Sequence, residues 1–139
     1  MELNILRADP AGNITVFVLD PVEKAQRAAI AEKIMAIPAL KAEQVGYACA
    51  AEDDVDGHME MMGGEFCGNA TRAYGMYIAQ QKGGLSSVRL RVSGCDHAVT
   101  AQVDLKSGTA RAEMPCPRSV KRVTVNCHEG TLVDLTGIA

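Results

Sequence analysis

The residues best suited to chemistry surround Cys67, where an apolar run passes through a glycine-rich turn into a helical pattern. The run Met62-Gly63-Gly64-Glu65-Phe66-Cys67-Gly68-Asn69 places the cysteine directly before the first turn of the predicted helix. Free backbone N–H groups and the positive end of the helix dipole favour the thiolate at such a position. The same N–H groups can bind a carboxylate, because the paired glycines let a ligand approach the backbone closely. An acid–base group and an anion site therefore coincide.

The same residues also fit an ordinary structural role. Most free cysteines are small buried hydrophobes, and Gly68-Asn69 is an acceptable helix cap without any chemistry. Local sequence alone leaves both interpretations open. A metal site is a weaker alternative: no Cys-x-x-Cys or His-x-x-x-His spacing is present in the sequence, and we expect no bound metal.

Four segments carry a resemblance to a known family. They are Asp9-Pro10-Ala11-Gly12-Asn13-Ile14-Thr15, Glu43-Gln44-Val45-Gly46-Tyr47, Glu65-Phe66-Cys67-Gly68-Asn69-Ala70-Thr71 and Val92-Ser93-Gly94-Cys95. In this order and spacing the chain resembles the cofactor-independent amino-acid racemases and epimerases of the diaminopimelate epimerase-like superfamily. Among these it is similar above all to the histidine racemases of staphylopine-type metallophore pathways. The Cys67 segment looks like the family's first catalytic-cysteine motif.

The resemblance implies inversion at the α-carbon of an amino acid by two facing cysteines, with no pyridoxal phosphate or other cofactor. One cysteine removes the α-proton as a thiolate and the other returns a proton as a thiol. The implied site comprises Cys67 as acid–base, Asn13 and Gln44 as substrate contacts, the backbone N–H groups of Gly68 and Asn69 for the α-carboxylate, and Thr71 as a candidate hydroxyl contact. Histidine and diaminopimelate both remain open as substrates.

The second catalytic cysteine is missing from this pattern. The resemblance covers nearly the whole chain but only the first half of a family member, and the second half supplies the other cysteine in a Cys-Gly motif. The sequence has no Cys-Gly besides Cys67-Gly68. We therefore expect a truncated N-terminal half that needs its C-terminal half, or a homodimer in which a second copy completes the site, and an inactive isolated chain. The alternative is a non-catalytic module that binds an amino acid or carboxylate.

The periodicity of apolar residues, together with the resemblance, predicts an α+β fold. One central helix, from Gly68 to a C-terminal signal at Gly83-Gly84, packs against a curved, mostly antiparallel sheet or barrel. An outer helix is predicted from Asp20, as its N-cap with Glu23 closing a capping box, to about Ala36. The family carries two such halves with the substrate between them.

A break in the strand pattern suggests a domain boundary. Pro115-Cys116-Pro117 interrupts it, so we place a linker at 115–119. An N-terminal domain then covers 1–119, and the start of a truncated second domain covers 120–139. Strands in that second part are predicted at 123–126 and 132–135.

Composition excludes several other classes of protein. The net charge is -3 and only 4% of the residues are aromatic, so neither a basic face nor a base-stacking surface for nucleic acid is expected. The apolar runs are too short to span a bilayer, and no secretory leader follows Met1. The five cysteines are an odd number without dense spacing and are expected to be free thiols. We expect a cytoplasmic protein without membrane partners.

Overall fold

A computed structural model describes residues 1–135 as a curled seven-stranded sheet, two helices and a separate two-stranded sheet. In chain order the described elements are β1 (Ile5–Ala8), β2 (Thr15–Val18), α1 (Lys24–Met35), β3 (Gln44–Cys49), β4 (Gly57–Met61), α2 (Gly68–Gln81), β5 (Ser87–Val92), β6 (Val99–Asp104), β7 (Thr109–Ala112), β8 (Pro117–Val125) and β9 (His128–Leu135). The α+β class predicted from the sequence is confirmed.

The large sheet keeps the order of the chain, from β1 to β7. Four neighbouring pairs are antiparallel, whereas β2–β3 and β4–β5 are parallel. The two parallel pairs are those whose strands are joined through a helix, because a parallel neighbour can be reached only by a crossover connection. The crossover between β4 and β5 is α2, so the cysteine motif lies where β4 ends and the central helix begins.

Helix α2 packs on one face of the sheet, against β4 to β7, along a side of mostly small residues. Its buried side is formed by Ala70, Thr71, Tyr74, Gly75 and Ala79. A Cβ at Gly75 would lie 2.7 Å from the Cβ of Ala101 on β6, which shows how closely the helix approaches the strand. The Tyr74 ring packs 5.4 Å from the Phe17 ring, measured between centroids, and burial raises the pKa of Tyr74 to about 12. This packing holds the N-terminus of α2 in one place.

Helix α1 covers the other face of the sheet. Its buried residues Ile30, Ala31 and Ile34 contact a second apolar cluster that includes Val16 and Val45. Strand β2 is consequently buried along its whole length, and β3, beside it, is buried at its centre. The residues at the start of β2 and β3 are thereby fixed in position.

Two boundaries differ from the sequence prediction. Helix α1 begins at Lys24 rather than directly after Asp20, and its N-cap Glu23 makes no side-chain capping bond. The predicted capping box is wrong because the Asp20 carboxylate accepts hydrogen bonds from the backbone and side chain of Asn4 instead. Strand β8 begins at Pro117, within the segment predicted as a linker. Residues 136–139 of the predicted second domain lie outside the described residues.

The two described helices are both too short and too polar to cross a membrane.

Candidate functional site

Cys67 is the N-cap residue of α2 and has an extended backbone. Its sulfur accepts a hydrogen bond from the Ala70 N–H at 3.4 Å. Its carbonyl accepts from the Thr71 N–H at 2.9 Å and from the Thr71 hydroxyl at 2.8 Å. A short polar side chain capping the third N–H of a helix is a common arrangement, and here the capping atom is sulfur. The helix N-terminus predicted for Cys67 is confirmed.

The side chain of Gln44 reaches Cys67 from the first residue of β3. Its Nε2 lies 3.2 Å from the Cys67 sulfur, 2.7 Å from the Thr15 hydroxyl and 2.9 Å from Oδ1 of Asn13. Gln44 and Thr15 are direct neighbours in the parallel register of β2 and β3. The sheet therefore positions the amide that faces the sulfur.

Arg72 and Glu43 lie at the two ends of a chain of side-chain hydrogen bonds. Arg72 Nη2 donates to Asn69 Oδ1 at 2.8 Å, and Asn69 Nδ2 donates to Asn13 Oδ1 at 3.2 Å. Asn13 Nδ2 in turn donates to Glu43 Oε2 at 3.2 Å. We call the side chains of Asn13, Gln44 and Asn69 the amide network. It joins the β1–β2 turn, β3 and α2 around one sulfur atom.

The remaining predicted site residues lie on either side of this network. Gly68 opens α2 directly after Cys67, and the side chain of Met114 lies over it, with Sδ 3.0 Å from the place a Cβ would occupy. Thr71 is fully buried, and its hydroxyl is engaged by the Cys67 carbonyl. From the interior of the fold, Thr71 thus stabilises the first turn of α2, which holds Cys67.

Sequence reasoning assigned no role to Thr15 or Arg72. Thr15 is fully buried, and its hydroxyl donates to the Asn13 carbonyl at 3.3 Å while accepting from Gln44. Arg72 follows Asn69 by three residues, a spacing that brings side chains together on a helix. That spacing could have indicated the Arg72–Asn69 pair, whereas the Thr15–Gln44 contact depends on strand register.

A second polar cluster lies between α1 and the β3–β4 hairpin. Arg27 pairs with Glu60, and its Nη2 lies 3.6 Å from the Cys49 sulfur. Burial raises the pKa of the Cys49 thiol and the Glu60 charge adds to this, with Arg27 and Lys24 partly offsetting both. Arg27 also lies over the Tyr47 ring, 5.1 Å from its centroid. The cluster ties the outer helix to the sheet.

Two groups of side chains in residues 1–135 have the spacing of metal ligands. In the first, formed by Cys49, His58 and Glu60, Arg27 and Lys24 already contact the Glu60 carboxylate and oppose a further cation. The second consists of Cys95, Asp96 and His97, which are consecutive in one turn. Their ligand atoms are close because the residues are neighbours in sequence.

Fold and site together define a class: an α+β half-barrel whose central helix begins at a cysteine held by backbone and side-chain N–H groups. The family model described as "Histidine racemase CntK N-terminal domain" matches residues 2–138. The chain therefore belongs to this family of histidine racemase N-terminal domains.

Two relatives agree with the family match. A histidine racemase of Fusobacterium nucleatum subsp. nucleatum is 31% identical over 98% of this chain and 52% of its own length. A histidine racemase of Staphylococcus aureus is 32% identical over 85% of this chain and 44% of its own length. The chain thus spans about half the length of the curated relatives it matches.

Proposed function

We propose that this chain is the N-terminal half of a cofactor-independent amino-acid racemase or epimerase, with histidine as the first substrate to test. The observation that carries the proposal is the sulfur of Cys67, which accepts hydrogen bonds from Ala70 at 3.4 Å and Gln44 at 3.2 Å. Hydrogen bonds to an ionised group favour its charged form. Relatives of the chain are named histidine racemase.

The reaction requires a base, an anion site and an acid. The α-proton of an amino acid is very weakly acidic, so negative charge that develops on the carboxylate must be stabilised as the proton leaves. We assign the free N–H groups of Gly68 and Asn69 to the α-carboxylate, because they lie at the start of α2 beside the sulfur. Asn13 and Gln44 then contact the substrate from the amide network.

The inversion transfers one proton at each face of the α-carbon. The Cys67 thiolate takes the α-proton, and a second thiol delivers a proton to the opposite face as the electron pair returns to carbon. One carbon–hydrogen bond breaks and one forms, and no oxidant is needed. After one turnover the two sulfurs have exchanged protonation states, so the reverse direction can follow directly.

We propose that the second thiol comes from a C-terminal half of the protein or from a second copy of this chain. Within residues 1–135 the Cys67 sulfur accepts hydrogen bonds from Gln44 and Ala70, and no other cysteine contributes one. We propose that residues 1–119 form the first domain and that 120–139 begin a second half, whose cysteine faces Cys67. Relatives of about twice this length support a second half. The five free cysteines suit a reducing compartment, and we place the protein in the cytoplasm.

Solvent exchange of the α-hydrogen tests this function. Histidine and diaminopimelate are incubated in deuterated water without added cofactor, with the 139-residue chain and with a full-length protein that contains it. We expect exchange only in the full-length protein, reduced about 100- to 10,000-fold by Cys67→Ser, the usual contribution of an acid–base group. The matched control Cys49→Ser should leave exchange unchanged.

Each other outcome has a definite meaning. Exchange retained in Cys67→Ser would contradict the acid–base assignment. Exchange by the isolated chain would show that a second copy supplies the partner cysteine. Binding of histidine without exchange, even in the full-length protein, would favour a carboxylate-binding module.

A further inference from the structure

The three side chains of the amide network each have a donor end and an acceptor end. Half a turn of the amide group exchanges the two ends. For Gln44 the choice matters, because an N–H facing the Cys67 sulfur stabilises a thiolate, whereas a carbonyl oxygen in that place would repel it. An amide free to rotate would present both ends in turn. The site therefore needs a device that fixes the orientation.

Arg72 provides such a device, because a guanidinium group can only donate. It donates to Asn69 at 2.8 Å, so the atom that Asn69 turns towards it must be the oxygen. The nitrogen of Asn69 then faces Asn13 and requires an oxygen there. That oxygen also accepts from Gln44 at 2.9 Å. It follows that Gln44 turns its nitrogen, and not its oxygen, towards this side.

Two further contacts agree with this orientation. Glu43 accepts from the nitrogen of Asn13 at the far end of the chain at 3.2 Å, but this bond is longer and more exposed than the 2.8 Å bond from Arg72, so Glu43 favours the same orientation less strongly. The hydroxyl of Thr15 donates to the Asn13 carbonyl, so its oxygen is left to accept from Gln44 at 2.7 Å. The two N–H bonds of Gln44 face three acceptors, the two oxygens and the Cys67 sulfur at 3.2 Å, so one N–H is shared between an oxygen and the sulfur.

We propose that Arg72 is a positioning residue that fixes the orientation of the three amides, so that Gln44 donates to the Cys67 sulfur. The proposal rests on the proposed acid–base role of Cys67 and names the residue that prepares it. Arg72 lies half-buried between α2 and the β1–β2 turn, where its Nη2 is also 3.4 Å from the Pro10 carbonyl. Its hydrogen bonds place it next to Asn69, so its influence on Cys67 passes through Asn13 and Gln44.

The test measures ionisation of Cys67 in the 139-residue chain and does not depend on turnover. The rate of iodoacetamide alkylation of Cys67 is followed from pH 5 to 10 by mass spectrometry of the cysteine-containing peptides. In Arg72→Met the midpoint of the pH–rate profile should move upward by about half to one pH unit, since one charge-assisted hydrogen bond to the sulfur is weakened. Arg72→Lys retains a donor and a charge and should largely restore the wild-type midpoint.

A double-mutant cycle separates orientation from the charge of Arg72 itself. If Arg72 acts through the amide network, Arg72→Met should have no further effect in a Gln44→Leu background. An equal shift in both backgrounds would show a direct charge effect and overturn the proposal, as would an unchanged midpoint in Arg72→Met alone. If the cycle gives the expected result but the full-length protein shows no racemase activity, only the proposed function is refuted.

A second measurement needs no substitution of Arg72 and therefore serves if Arg72→Met does not fold. The side-chain NH₂ resonances of Gln44 are followed by NMR through the same pH range, in the wild type and in Cys67→Ser. A pH-dependent shift present only in the wild type supports the N–H-to-sulfur orientation. Identical behaviour in both proteins contradicts it.

Discussion

At the scale of single residues, two cysteines of this fold have opposite surroundings. The Cys49 thiol has a raised pKa because it is partly buried beside the Glu60 carboxylate, and Arg27 offsets this incompletely. Cys67 lies at a helix N-terminus, where backbone and side-chain N–H groups point at its sulfur. Since the thiolate is the reactive form of cysteine, the raised pKa protects Cys49, and we expect iodoacetamide to alkylate Cys67 faster than Cys49.

The Glu60 carboxylate makes the stability of the protein depend on acid pH. Burial raises its pKa, but the hydrogen bond and charge of Arg27, with Lys24 and His58, outweigh burial and lower it below the usual 4.5. A lowered folded-state pKa means that the unfolded chain binds more protons, so this stabilisation is complete above about pH 4.5 and is lost as the pH falls through the native value. Glu60→Gln should therefore reduce the free energy of unfolding by about 2 kcal/mol at pH 7.

Urea unfolding of both proteins at pH 7 and at pH 3 checks this expectation. The difference between Glu60→Gln and the wild type should shrink at pH 3, because the unfolded carboxyl is then protonated and part of the stabilisation is lost. Glu32→Gln, at an exposed position of α1, is the control and should change the free energy of unfolding by less than about 0.5 kcal/mol. A difference that is the same at both pH values would contradict the assignment.

At the scale of the elements, the close contact between α2 and β6 depends on Gly75. A Cβ there would lie 2.7 Å from Ala101 Cβ and 3.3 Å from Val88 Cγ2. Alanine would gain about 1 kcal/mol of helix propensity, but overpacking a fixed backbone contact costs about 1–3 kcal/mol. Because the contact with Ala101 is shorter than 3.0 Å, the cost should lie in the upper part of that range, about 2–3 kcal/mol, and we expect Gly75→Ala to lower the free energy of unfolding by about 1–2 kcal/mol in urea denaturation.

A matched control and a rescue make this test specific. Gly130→Ala adds the same methyl group where no heavy atom lies within 4 Å, and it should leave the free energy of unfolding unchanged or raise it by less than about 1 kcal/mol. Adding Ala101→Gly to Gly75→Ala removes the opposing methyl group and should recover part of the loss. A Gly75→Ala protein as stable as the wild type would show that the two elements can separate without cost.

The elements that the sequence predicts are those with local signals. The helix that begins at Gly68 is predicted correctly because a glycine-rich turn and a face of small residues are both local. The predicted N-cap at Asp20 is wrong because its carboxylate accepts hydrogen bonds from Asn4, which is distant in sequence. Strand β8 starts earlier than predicted because a proline can occupy the first position of a strand. The contact of Thr15 with Gln44 follows from strand register, which no local pattern encodes.

At the scale of the whole molecule, apolar side chains are exposed around the site and on the β8–β9 hairpin. Met114, beside the start of α2, is 59% exposed, and Val120 and Leu132 on the hairpin are 59% and 55% exposed. Strands β8 and β9 pair with each other and form a sheet of their own. A two-stranded hairpin is marginal in water by itself, so we expect another part of the protein or a second copy to pack against this surface.

We expect the 139-residue chain to associate, either with itself or with the C-terminal half proposed above. Static light scattering should show a mean mass that rises with protein concentration, because contiguous exposed apolar surface drives association. Val120→Lys with Val133→Lys, an opposed pair on one face of the hairpin, should keep the chain monomeric at concentrations where the wild type is not. The control Gln102→Lys changes charge at an exposed position of β6 and should leave association intact. A wild type that stays monomeric over a wide concentration range would mean that the β8–β9 hairpin is stable without a packing partner. Equal association of all three proteins would mean that the chains associate through another surface.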